Sequence, residues 1–129
     1  MIIDSSVVVA ILRQEPDALR CATAIEHAST RRMSAANYLE AAIVIDSEDN
    51  PINSRRFDQL IREAAIEIVP VTAAHVRIAR EAYRDFGKGR GDKAQLNFGD
   101  CFAYSLAYAT GEPLLFTGLD FTPTGIESA

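Results

Sequence analysis

The sequence predicts an α/β fold in which a short-stranded parallel sheet is covered by helices on both faces. Two observations predict it. Short apolar runs alternate with longer stretches of helical periodicity, the pattern of successive strand–helix units. The runs are apolar at nearly every position instead of alternating with polar residues, as strands buried on both faces are. At 129 residues the chain is expected to form one domain, residues 1–129, with a sizeable core.

The elements follow in order. Ile2-Ile3 reads as a first strand. Ser5 to Arg13 is an apolar helix stopped near Glu15-Pro16. Pro16 suits the first turn of the next helix, which runs to about Ala28 with Leu19, Ala22 and Ile25 on one face. Arg32-Met33-Ser34 is a second strand. Ala35 to Ser47 is a helix with almost no polar face beyond Asn37 and Glu40, and is expected to be well buried. Asn50-Pro51 is an N-cap followed by Pro at the first helical position. Phe57, Leu60, Ile61 and Ala64 then keep i, i+3, i+4, i+7 spacing. Ile66 to Val69 is a third strand, ended by Pro70. Thr72 caps a helix with Val76, Ala79 and Tyr83 on one stripe. Asp85 to Gln95 is a polar loop containing Gly87, Gly89 and Gly91. The next helix carries Asp100 and stops at Gly111-Glu112-Pro113. Leu114-Leu115-Phe116 is a fourth strand, and Gly125-Ile126-Glu127 a short edge strand.

Composition narrows the function classes. Hydrophobic residues are 48% and charged residues 24%, the balance of an ordinary globular protein. The net charge of −5 excludes a generally basic nucleic-acid binder. It leaves room for an enzyme that meets phosphate through a metal and a local basic patch. No apolar run reaches the roughly 18 residues of a membrane span, and no basic segment leads into an apolar one at the start. The expectation is a cytoplasmic protein with no membrane contact. Cys21 and Cys101 are far apart and form no CxxC pair, so both read as small buried side chains. His27 and His75 have no second ligand nearby in sequence, which argues against a histidine zinc site.

The chemistry concentrates in four acids, each embedded in apolar sequence: Asp4, Glu40, Asp100 and Asp120. Taken alone, Asp100 reads as an ordinary acid at a helix N-terminus. Taken together, four such acids point to a shared cation site, because ionised carboxylates in apolar surroundings need a partner. Ligands of open parallel sheets bind beyond the carboxyl ends of the strands. That rule brings Asp4, Asp120 and Glu40 together. It does not by itself bring the start of the Asp100 helix to the same edge.

Four segments carry a family resemblance. They are Met1-Ile2-Ile3-Asp4-Ser5-Ser6, Ser34-Ala35-Ala36-Asn37-Tyr38-Leu39-Glu40, Leu96-Asn97-Phe98-Gly99-Asp100-Cys101-Phe102-Ala103-Tyr104 and Gly111-Glu112-Pro113-Leu114-Leu115-Phe116. In these, and in their order, the chain resembles the VapC-type toxins of the PIN-domain ribonuclease family. The resemblance implies a three-layer α/β/α fold, an acidic pocket for Mg²⁺ with Mn²⁺ as a substitute, and metal-dependent cleavage of RNA, transfer or ribosomal RNA among the targets. It implies a VapB-type antitoxin, a homodimer, and contact with operator DNA only through the antitoxin. Asp4, Glu40 and Asp100 match the three core acids. The fourth acid of many PIN domains falls two residues after a threonine, which here is Leu119. Aligned on the following Phe, that position is Gly118 instead; Asp120 is the available acid, read either as supporting the metal ligands from behind or as reaching the site through water.

Within that reading Asp4 and Asp100 are direct metal ligands. Glu40 orients or deprotonates the attacking water or assists a second ion. Ser6 is read either as a ligand of phosphate or a metal-bound water, or as a helix cap. Asn37 shares the Glu40 side of its helix and is read either as a substrate contact or as a buried amide bracing backbone. Lys88, Arg90 and Lys93 are read either as partners of RNA phosphate or as a solvated loop. Two other classes compete. An aspartyl-phosphate phosphatase wants a second Asp where Ser6 stands, and a receiver domain wants paired acids near the first strand and a late Lys, whereas no Lys follows Lys93. A catalytically silent PIN-fold interaction protein is the third reading, against which the three intact core acids count.

Overall fold

The computed structural model describes residues 1–90 and 95–129. Four strands form one sheet: β1 (Ile2–Ile3), β2 (Arg32–Ser34), β3 (Glu67–Val69) and β4 (Leu114–Leu115). The order across the sheet is β3-β2-β1-β4 and every pairing is parallel. Ile2 and Ile3 stand opposite Leu114 and Leu115. The helices are α1 (Ser5–Leu12), α2 (Ala18–His27), α3 (Ala35–Asp46), α4 (Pro51–Glu63), α5 (Ala73–Phe86) and α6 (Phe98–Thr110).

Parallel strands need crossovers, and their hand decides which face each helix covers. The chain steps from β1 to β2 to β3 in one direction, then returns past them to place β4 beside β1. Helices of the outward steps and of the return must therefore lie on opposite faces. They do. Ile3, Met33 and Leu115 point into one core with residues of α1 to α4. Ile2 and Leu114 point into a second core with α5 and α6. The result is the three-layer α/β/α fold. The reversal of direction falls between β1 and β4, and sites in such sheets open at that switch point.

Local chemistry sets the helix ends. Asp4, Ser34, Asn50 and Thr72 accept backbone N–H bonds as N-caps of α1, α3, α4 and α5. Gly111 closes α6 in the left-handed conformation at φ 69°, which favours glycine. Because Gly111 to Pro113 then leads at once into a parallel strand, α6 runs against the strand direction. Its first residues must start at the carboxyl edge of the sheet, and this brings Asp100 to the acids the strand rule had already gathered.

Three expectations are corrected. Helix α3 is not buried all round: Leu39 and Ile43 are each 58% exposed. Its inward face is made by Asn37, Ala41 and Ile45. On α5 the buried stripe is Ala79 and Ala82, while Val76 and Tyr83 are largely exposed. The edge pairing on β4 falls later than Gly125–Glu127. A 3-10 turn at Thr122–Thr124 ends in a left-handed Gly125, and the chain then bridges Leu114 to Ser128. Among the described residues, no helix is long and apolar enough to cross a membrane.

The amino edge of the sheet is closed by ion pairs. Glu112 accepts from the Met1 ammonium at 2.8 Å, from Arg32 at 2.6 Å and from the Thr30 hydroxyl at 2.9 Å. These donors hold the Glu112 carboxyl down at about 2 against the cost of burial. Glu112→Gln keeps the shape and removes the charge. It is expected to cost about 2 kcal/mol, the scale of hydrogen bonds to charged groups, read as a lower urea midpoint with an unchanged slope.

Candidate active site

The opposite, carboxyl edge carries unpaired acids. Asp4 follows β1 directly, Glu40 sits in the second turn of α3, Asp100 in the first turn of α6, and Asp120 in the turn after β4. All four line one cavity of about 380 Å³ between α1, α3, α6 and the β4 turn, with Ser5, Ser6, Asn97 and Thr117. The N-termini of α1 and α6 meet there, and their free N–H groups favour negative charge.

Asp4 is 2% exposed. Its Oδ2 accepts from the Ser6 N–H at 3.1 Å, while Oδ1 is buried with no partner. Burial drives the Asp4 carboxyl up to about 6, opposed by bonds from Ser6 and reinforced by the nearby Glu40 charge. Asp100 is buried too. It completes a capping box: Asn97 Oδ1 accepts from the Asp100 N–H at 2.9 Å, and Asp100 Oδ2 accepts from the Asn97 N–H at 3.0 Å. One Asp100 oxygen therefore caps the helix while the carboxylate still faces the other acids. Burial is the main cause that raises it to about 7, with Asp4, Asp120 and Glu40 adding to the rise.

Glu40 is fixed by two donors on one oxygen, the Ser5 hydroxyl at 2.5 Å and the Asn37 amide at 3.4 Å. Asn37 is fully buried and also donates to the Gly99 carbonyl at 2.9 Å. It ties α3 to the start of α6, so its backbone-bracing reading holds. Ser6 does not cap α1, because Asp4 does. Its hydroxyl oxygen accepts from the Thr117 N–H at 3.1 Å, which holds the turn that carries Asp120. Asp120 itself is exposed on the rim.

Among the described residues, none of the four acids has a cationic partner. Arg13 lines the cavity wall, but its Nε donates to Glu48 at 2.6 Å. Neither Lys88 nor Arg90 lines the cavity. Lys88 borders a neighbouring groove, and Arg90 Nε donates to the Arg84 carbonyl at 3.4 Å. Lys93 lies outside the described residues.

The donor set at the cavity is oxygen only, without His or Cys, and suits a hard divalent cation over zinc. Among the described residues, no three such side chains close on a common point tightly enough to hold an ion unaided. Mg²⁺ does not require that, since it keeps several waters and takes one or two carboxylates. Asp4, with its unpartnered oxygen, and Asp100 are the residues placed to hold it.

Sequence reasoning missed two positioning residues. Ser5 was read only as the first residue of a helix. Gly99 was read only as part of a string, yet a Cβ built there overlaps the Glu40 carboxylate. Glycine at 99 is what lets the second core acid approach α6. The signal was a glycine inside a helix, which costs helix stability and calls for a packing reason.

A family model described as PIN domain matches residues 1–125. Ribonuclease VapC28 of Mycobacterium tuberculosis is 52% identical over 129 residues, covering 100% of this chain and 97% of that protein. The chain belongs to the VapC branch of the PIN-domain family. Its PIN fold is matched by the crystal structure of Mycobacterium tuberculosis VapC20, described as a sarcin–ricin loop cleaving toxin. The TM-score is 0.75 at 12% identity, over 99% of this chain and 97% of that one. VapBC2 from Rickettsia felis, bound to a DNA fragment from its promoter, gives a TM-score of 0.74 at 12% identity, over 98% and 94%.

Two measurements follow from this VapC-type site. Asp4 and Asp100 both have folded pKa values above the ordinary carboxylate value, so their contribution to stability is complete at acid pH and is lost as pH rises through about 6 to 7. Glu112 has the opposite sign and loses its contribution only as pH falls from its ordinary value of 4.5 to about 2. The metal-free protein is therefore expected to melt lower at about pH 8 than at about pH 5. Asp100→Asn should flatten that fall in a thermal-denaturation series. Gly99→Ala should displace Glu40 and cut RNA cleavage at least about tenfold, while circular dichroism reports an intact fold.

Proposed function

We propose that this chain is the ribonuclease toxin of a toxin–antitoxin pair, hydrolysing RNA phosphodiester bonds with Mg²⁺, or Mn²⁺ in its place, in the acidic cavity. The observation that carries this reading is the buried Asp4 carboxylate, with one oxygen unpartnered, facing Glu40 and Asp100 across a cavity open to solvent. The names of full-length relatives at about half identity support it.

Asp4 and Asp100 would hold the metal, which supplies a more acidic bound water and stabilises charge on the phosphoryl oxygens. Glu40 presents a carboxylate whose direction is set by the Ser5 hydroxyl and the Asn37 amide. It orients the attacking water and accepts its proton. The converging helix N-termini stabilise the phosphate that enters. Asp120, exposed on the rim, acts through water.

The partner is a VapB-type antitoxin, and operator DNA is reached through it. A basic side chain from that partner would satisfy the acids in place of the ion. The toxin is proposed to act as a homodimer in the cytoplasm, on transfer or ribosomal RNA.

The test uses Asp100→Asn, which keeps an acceptor for the Asn97 N–H and so preserves the cap. RNA cleavage should fall at least about a hundredfold, and Mn²⁺ binding by calorimetry should weaken, with stability unchanged or raised. Asp4→Asn should behave alike, whereas Asp120→Asn retains measurable cleavage. A folded Asp100→Asn protein that binds metal and cuts RNA like the parent would overturn the reading.

A further inference from the structure

We infer that the groove between α5 and α6 holds an unpaired nucleobase of the RNA strand, beside the acidic cavity. The inference rests on the ribonuclease reading of that cavity and adds a subsite to it.

The groove has a volume of about 540 Å³, within the range of small-ligand sites. Aromatic and small apolar side chains form it. Phe98 is 79% exposed and Tyr83 43% exposed, and both line it together with Phe102 and Val76. The Phe98 ring meets Phe102 edge to face, with centroids 4.9 Å apart and an 83° angle between planes. Phe102 thus braces one side of the ring and leaves it on the surface. Scattered exposed apolar residues need no explanation. A contiguous aromatic patch around a concavity marks a binding site.

Charge selects the occupant. Arg80 and Lys88 stand at the groove, and among the described residues no carboxylate lines it. Among the described residues, neither cation is in an ion pair. In a chain of net charge −5, an aromatic groove whose charged described residues are Arg80 and Lys88 fits a base that stacks while its phosphate meets one of them. Aromatic platforms beside a positive track are how single strands are bound. Position agrees with charge. Asn97 lines both this groove and the acidic cavity, and Phe98 is two residues from Asp100 on the same helix turn. A strand crossing the acids continues into the groove by passing Asn97.

The experiment uses the full chain carrying Asp100→Asn, which does not cut, with Mg²⁺ present. The probes are a fluorescein-labelled single-stranded RNA decamer and a decamer of the same ribose-phosphate backbone without bases. Adding Phe98→Ala should weaken binding of the RNA about tenfold and leave the abasic strand unchanged. Phe98→Trp should restore the RNA affinity. Lys88→Ala with Arg80→Ala should weaken both strands and reduce the salt dependence. Equal loss on both strands with Phe98→Ala would overturn the base contact. So would unchanged RNA affinity, whether accompanied by a changed mass in light scattering, which makes the face a seat for a second copy, or by lost binding of an apolar helical peptide, which gives it to a protein partner. The ribonuclease reading fails differently: the wild-type protein would then neither bind Mn²⁺ nor cut the decamer, whatever Phe98→Ala does to affinity.

Discussion

The buried Asp4 carboxylate, with an oxygen that no group among the described residues satisfies, is the constraint around which the site is arranged. Burying an unpaired ionised group costs several kcal/mol in a protein interior. Glu40, Asp100 and Asp120 add like charge. The fold tolerates this because the N-termini of α1 and α6 both open onto the cavity, where their free N–H groups favour negative charge. It also braces each acid separately: Ser5 and Asn37 on Glu40, Asn97 on Asp100, and Ser6 on the turn before Asp120. None of these braces neutralises charge. They hold the carboxylates against one another while, among the described residues, no cation pairs with them.

The two edges of the sheet show how much the surroundings decide. At the amino edge Glu112 is surrounded by an ammonium, a guanidinium and a hydroxyl, and its carboxyl is held at about 2. At the carboxyl edge Asp100 meets backbone donors and further acids, and its carboxyl rises to about 7. Both are partly buried acids in one small domain. One edge is electrostatically finished and locks the first residues of β1, β2 and β4 together. The other is unfinished. Separated roles of this kind are the mark of a functional site rather than of general instability.

Much of the fold was legible in the sequence because the strands are short, apolar and separated by capped helices, a pattern with few alternatives. Helix boundaries fell within a residue or two. What failed was direction. Counting apolar residues on α3 could not say that Leu39 and Ile43 face outward, because Asn37 and Glu40, the polar residues that would normally mark the outer face, themselves turn inward. The position of Asp100 was not legible from strand order, although the short turn Gly111–Pro113 into a parallel strand implies it. The three core acids were found through apolar context and family resemblance. Ser5 and Gly99 were not, since a serine and a glycine in helices are ordinary until the neighbouring element is in place.

Asn97 to Asp100 shows why a short stretch carries so much. Consecutive residues of a helix are turned by about 100° from one another, at 3.6 residues per turn, so four of them look in four directions. Asn97 caps the helix and stands between cavity and groove. Phe98 turns outward to the groove. Gly99 turns to α3, where the missing side chain admits Glu40 and its carbonyl receives Asn37. Asp100 turns to Asp4 while reaching back to Asn97. Each position meets a different neighbour, so each has its own chemical requirement. Moving the start of α6 by one residue would rotate all four at once, placing a phenylalanine against Glu40 or a glycine against Asp4. The capping box between Asn97 and Asp100 fixes that register. The bond that looks like routine helix capping is therefore also what sets the direction of the Asp100 carboxylate and of the aromatic ring beside it.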